Sequence, residues 1–131
     1  MTTRPNRTGR SWALEHTGKR PLTLNRVADL HRMAWATYTK RTRKTWRELA
    51  EAHGIPALDR IVITATPLHA DRRSPQDACA CAPATKAAID GLVDAGVIPD
   101  DNGKHLLLVV HTPPAVTGHN GLRLLIEELT P

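Results

Sequence analysis

The chain has no phenylalanine, one tyrosine and three tryptophans in 131 residues. Rings therefore cannot fill the interior, and a single core must be assembled from Leu, Ile, Val and Ala. No run approaches the roughly 18 consecutive apolar residues that a membrane span needs. The basic N-terminus has no apolar stretch behind it, so no secretory leader is expected. Cysteine is scarce, and Cys79 and Cys81 are one residue apart, a spacing poor for a structural disulfide. These absences predict a cytoplasmic protein. Cys79-x-Cys81 with His105 or His111 also departs from the usual zinc spacing and lacks a second tight pair. A cysteine nucleophile ranks below a small buried thiol. There is no glycine-rich phosphate loop, no internal repeat and no low-complexity tract.

What is present is charge, unevenly placed. Residues 1–47 hold twelve of the eighteen Lys and Arg against two acids, Glu15 and Asp29; residues 48–131 hold six against eleven acids. A basic half joined to an acidic half suggests a polyanion surface beside a separate acidic cluster. The plainer alternative is a solvated basic face and a loose tail.

Residues 1–10 are expected to form a disordered basic N-terminus, with one domain over 11–131. Ser11–His16 reads as a first strand and Thr17–Asn25 as a loop. His31–His53 is a long helix with Trp35, Tyr38, Trp46 and Leu49 at helical spacing, closed by Gly54 and Pro56. Trp35 and Trp46 are assigned to its buried face. Arg60–Pro67 alternates as a strand, and Ala70–Gln76 is a polar loop. Ala84–Ala95 is a second helix, with Pro83 suited to its first turn. Pro99–Gly103 is a turn. Lys104–His111 is an unbroken apolar run, as a central strand buried on both faces would be. Pro113–Asn120 is a loop, and Leu122–Leu129 a final strand, with a short helix as the alternative. The order β-α-β-α-β-β predicts an α+β domain, a small mixed sheet backed by two main helices.

The chemistry concentrates in Asp71–Asp101, DRRSPQDACACAPATKAAIDGLVDAGVIPDD. Asp77 precedes a helix on which Lys86, Asp90 and Asp94 share a face. The helix leads into Asp100 and Asp101. A solvated helix face with acids in surface turns has the same spacing. Magnesium is a hard cation that takes oxygen ligands and needs only one or two carboxylates plus substrate phosphate. A helix of about twelve residues spans roughly 18 Å, so acids at its two ends share an ion only where loops fold back. Arg41, Arg43, Lys44 and Arg47 on the long helix, with Arg72 and Arg73 in the loop, are the candidate DNA phosphate contacts.

The segment K-A-A-I-D-G-L-V-D-A-G-V-I-P-D-D, Lys86–Asp101, resembles the core signature of the RusA family of Holliday-junction resolvases. That signature is an acidic D-x-D-N loop, a K-x-x-x-D-x-L-x-x-A-G helix and a D-D turn. Pro21–Arg26 (P-L-T-L-N-R) resembles the family's N-terminal loop. Ile55–Thr64 resembles the strand before its basic loop, where Arg72 and Arg73 stand, and Gly121–Leu129 its closing strand. The likeness covers about residues 12–129. It implies a Mg²⁺- or Mn²⁺-dependent endonuclease, acting as a homodimer on four-way DNA junctions in a phage or recombination setting. Asp77 matches the first loop acid, Lys86 the functional lysine, Asp90 the helix acid, and Asp100 and Asp101 the D-D turn. It implies catalytic roles for Asp77, Lys86, Asp100 and Asp101, with the three acids holding metal and Asp101 favoured in the turn.

The match breaks at one point. The second loop acid falls on Cys79 and the asparagine on Ala80. A neutral thiol neither carries the carboxylate's charge nor suits a hard ion. Three consequences stand open: weakened metal affinity, compensation by another acid such as Asp71 or Asp94, or binding of branched DNA without cutting. A basic DNA-binding protein whose acids have no chemical role is the remaining alternative.

Overall fold

The computed structural model describes residues 6–72, 76–77 and 79–130, with backbone only for Ala28 and Asp29. Among them the chain runs β1 (Arg7–Thr17), α1 (Leu24–Asp29), α2 (Arg32–Ala52), β2 (Ile61–His69), α3 (Ala82–Asp94), β3 (Leu106–His111), β4 (Ala115–Val116) and β5 (Gly121–Leu129). It is a mixed α/β domain, a sheet of order β1-β5-β2-β3 with β4 continuing the β3 edge of β2. β5 is antiparallel to both neighbours, and β2 and β3 are parallel, joined by the crossover through α3.

The two long helices form as expected. His31 caps α2, its Nδ1 accepting the Met33 N–H at 3.2 Å. Beyond the His53 C-cap, Gly54 adopts φ +63°, the left-handed conformation in which glycine carries no Cβ penalty. Pro83 occupies the first turn of α3, where its missing N–H would have no helical partner. The helices pack closely because Gly91 has no side chain: a Cβ there would meet the Arg43 carbonyl oxygen at 2.5 Å and the Trp46 Cβ at 2.8 Å.

The core is aliphatic apart from Trp46. It joins Trp46 and Ala50 of α2 and Ala84, Ala88, Ile89 and Leu92 of α3 to Leu14, Ile61, Ile63, Ala65, Leu122, Leu124 and Ile126 of the strands. All these strand residues point to one face, since side chains alternate along a strand.

Five expectations need correction. β1 begins at Arg7, not Ser11, because cross-strand pairs Arg7–Glu127 and Arg10–Glu128 extend the ladder; residues 1–5 lie outside the described residues. Part of the expected loop at Thr17–Asn25 belongs to α1, a single short helix capped by the Thr23 hydroxyl. β3 is an edge strand, not a central one, with Leu108 53% and Val110 38% exposed; β5 and β2 occupy the middle. The expected loop at Pro113–Asn120 contains the two-residue β4, which pairs in parallel with Leu68 and His69 of β2. Trp35 is half-buried and outside the core cluster, stacked on Tyr38 with centroids 6.3 Å apart. No helix of the described residues is long and apolar enough to cross a membrane.

Candidate functional site

Lys86 organises the acidic end. On α3 it stands one turn before Asp90, and its Nζ donates to Asp90 Oδ1 at 2.9 Å. The same ammonium donates to Asp101 Oδ2 from fifteen residues away. The turn after α3 therefore folds back along the helix. Asp100 shapes that turn: its Oδ1 accepts the Asp101 N–H at 2.7 Å and its Oδ2 the Asn102 side-chain amide at 3.3 Å. Asp100 thus holds the backbone and Asp101 presents its carboxylate to the lysine. The hydrogen bond from Lys86 is the main reason Asp101 titrates below the ordinary carboxylate range. The reciprocal bonds to Asp101 and then Asp90 raise Lys86. Asp94 stands apart from this cluster, tied to Arg43 of α2 by a two-pronged ion pair whose longer arm is 2.8 Å.

Asp77 lies before α3 and is exposed. Its carbonyl accepts the Ala80 N–H at 3.0 Å, and its carboxylate has no partner among the described residues. It lines a cleft of about 970 Å³ together with Arg20, Arg26, Tyr38 and the buried His69. The P-L-T-L-N-R segment lines the same cleft. Leu24 N–H donates to the Ala80 carbonyl at 2.8 Å, fastening α1 to the Asp77 segment. Leu22 N–H donates to the Tyr38 hydroxyl at 3.1 Å, fastening the loop to α2.

Arg20, Pro21 and Tyr38 also line a second cleft of about 720 Å³ with Lys19, Arg41 and Lys44. The two hollows thus adjoin in a basic groove that reaches Asp77. His16 in the second hollow is held below its ordinary pKa by burial and by Lys19.

Of the expected phosphate contacts, Arg41 keeps a free guanidinium among the described residues. Arg43 is the tie to Asp94, Lys44 lies 3.9 Å from Glu48 and Arg47 3.8 Å from Glu51. Arg72 is exposed, and Arg73 lies outside the described residues. Lys19, Arg20 and Arg26 join the surface instead. The early basic excess and the P-L-T-L-N-R likeness were the only signs of them in the sequence.

The metal expectation can be tested on the donors themselves. Among the described residues no three His, Cys, Asp or Glu stand close enough to hold an ion. β2 and β3 are parallel, so the segment leaving β2 and the turn entering β3 start from opposite ends of the sheet. The fold-back brings Asp101 to Lys86 and does not complete a cage with Asp77. An all-protein cage does not fit. An ion arriving with a phosphate does fit the unpartnered Asp77 carboxylate, in a cleft that Arg20 and Arg26 also line, since Mg²⁺ accepts one or two carboxylates and keeps its waters.

No family model matches the chain, and no curated protein matches it. The RusA likeness therefore rests on the residues quoted for it.

Proposed function

We propose that this chain is a RusA-type endonuclease of four-way DNA junctions, working in the cytoplasm of a bacterial or phage-infected cell. One observation carries the reading. The lysine and the D-D turn of the resemblance, fifteen residues apart, are in direct contact through Lys86 and Asp101.

In this reading the groove of Lys19, Arg20, Arg26 and Arg41 takes successive phosphates and draws the backbone toward Asp77. Among the described residues no base-reading element accompanies these cations, so recognition in this reading is of shape. A Mg²⁺ or Mn²⁺ ion arriving with the phosphate would be held by Asp77 and would supply activated water for attack on the phosphodiester, while Asp100 and Asp101 stay with their turn and Lys86. Lys86, donating to Asp90 and Asp101 in the free protein, has its third N–H for a phosphate oxygen.

A second reading has its own support. Cys79 replaces an expected acid, and no three-ligand group is present among the described residues. A protein so built binds branched DNA without cutting it.

A fixed four-way junction, incubated in Mg²⁺ and in Mn²⁺ beside a duplex control, separates the two. Paired symmetric nicks that disappear in Asp77→Asn and Asp101→Asn support the nuclease. Junction binding without nicks, with cutting gained in Cys79→Asp, supports the second reading. Equal affinity for junction and duplex would overturn both.

A further inference from the structure

The second hollow, of about 720 Å³, holds more than a track for phosphates requires. Lys19, Arg20, Arg41 and Lys44 stand around it, and Glu48, 3.9 Å from Lys44, is the one acid among its described lining residues. Between the cations the lining is apolar: Pro21, Met33, Tyr38, Trp46 and Leu122. Trp46 and Leu122 are buried and make its floor. Met33 stands at the rim, 68% exposed, more than any other large hydrophobic among the described residues. Tyr38 is held at two points, its ring stacked on Trp35 and its hydroxyl accepting the Leu22 N–H. It also lines the cleft of Asp77, so the hollow continues directly from that cleft.

Cations set around an apolar floor select among anions. A duplex turns its phosphates outward and its bases toward one another, which leaves an apolar lining unused. An unpaired nucleotide carries a phosphate and an apolar base face on one short unit, and every base has such a face. The volume of the hollow falls within the roughly 300–1,000 Å³ of sites that take a single small ligand. An acidic peptide also combines charge with apolar side chains. Continuity with the Asp77 cleft favours the nucleotide, because one strand then reaches both hollows.

We propose that this hollow takes one unpaired nucleotide of the strand that passes Asp77, its base against Tyr38 and Met33 and its phosphates on Arg20 and Arg41. The DNA acted on is then one with an opened pair beside the phosphate at Asp77. The inference rests on the reading above for the strand at Asp77, and its test needs no cleavage.

Fluorescence anisotropy measures it with two probes, a short oligothymidylate and an abasic oligonucleotide of the same length. Both carry the same phosphates, and only the first carries bases. The wild-type chain should bind oligothymidylate about tenfold or more tighter than the abasic strand. Tyr38→Ala should bring that ratio close to one, while Tyr38→Phe, which keeps the ring, should retain it. Met33→Ala should lower the ratio by about threefold or more, and because Met33 is exposed this variant keeps its fold even where Tyr38→Ala does not. Leu108→Ala, which removes an exposed hydrophobic outside the hollow, should leave the ratio unchanged. A wild-type ratio near one, a ratio indifferent to Met33→Ala, or tighter binding of a Glu–Leu repeat peptide than of oligothymidylate would each overturn the proposal. A tenfold ratio in a protein that neither nicks a junction nor prefers it would count against the nuclease and leave this hollow standing. Junction nicking with a ratio near one would do the reverse.

Discussion

The cations of the strands and those of the loop–helix side differ in their partners. On the strands Arg7, Arg10 and Arg123 are each paired with a glutamate, Glu127, Glu128 and Glu15. Around the clefts Lys19, Arg20, Arg26 and Arg41 have no partner among the described residues, although they come from the same basic half of the chain as Arg7 and Arg10. An exposed pair contributes little stability and cancels the field it would project. An unpartnered cation keeps its field and its donors for an outside anion. Counting basic residues therefore does not separate the two sides, whereas the unpartnered ones fall around the clefts.

The largest expected effect removes the platform both surfaces share. Gly91→Leu forces side-chain atoms into the α2 backbone, and a loss of about 3 kcal/mol or more is expected in urea unfolding, at or beyond the upper end for overpacking. Both surfaces would fail together, and a variant that unfolded at the wild-type midpoint would show that the helices do not meet at Gly91.

Next come changes to one surface alone. Arg20→Ala with Arg26→Ala should lower junction affinity by roughly tenfold or more and reduce the salt slope by about one per residue. Arg7→Ala with Arg10→Ala should leave both quantities near wild type. Equal losses from the two pairs, measured by titration at several salt concentrations, would erase the comparison.

A smaller effect concerns pH. Asp101 is depressed, so its contribution is present above the ordinary carboxylate pKa and fades as pH falls through the lower folded value. Lys86 is raised, so its contribution is present below the ordinary lysine value and fades as pH rises through the folded one. Both groups are partly exposed, which holds the pair to about 1 kcal/mol. Lys86→Met should lose this increment at neutral pH and flatten the acid limb of a stability–pH curve. The smallest effect is at Arg43–Asp94, where a double-mutant cycle should return about 0.5 kcal/mol of coupling. A vanishing value there would return Arg43 to the free set.

Much of the fold was legible because its signals are local. The 3.6-residue period, Pro83 in the first turn and Gly54 after the last are properties of a few adjacent residues, and they placed α2 and α3. α1 was missed because six residues offer no periodicity to read. β3 was misplaced because an apolar run suits any strand with one packed face, and no residue within it says whether a neighbour lies beyond its edge. The candidate site divides in the same way. Asp77, Lys86 and Asp101 were marked by the RusA resemblance, since their spacing alone suits a solvated helix face equally. That Asp94 would meet Arg43, 51 residues away, and that Asp100 would turn inward to hold its own loop, depend on helix packing and turn geometry.

The placement of α2 has a consequence for how the molecule moves. Its 21 residues span about 31 Å, yet Trp46 and Ala50 are its only buried residues. Its first turn holds no acid and its last turn no base, so the helix macrodipole is uncompensated at both ends. Such a helix opens in a graded way: amides near Arg32 exchange at low free-energy cost, and those near Trp46 only with global unfolding. The basic groove is built partly on the weakly protected end. Occupancy by a polyanion should therefore be read as slowed hydrogen exchange in residues 32–45, a signal that needs no cleavage to detect.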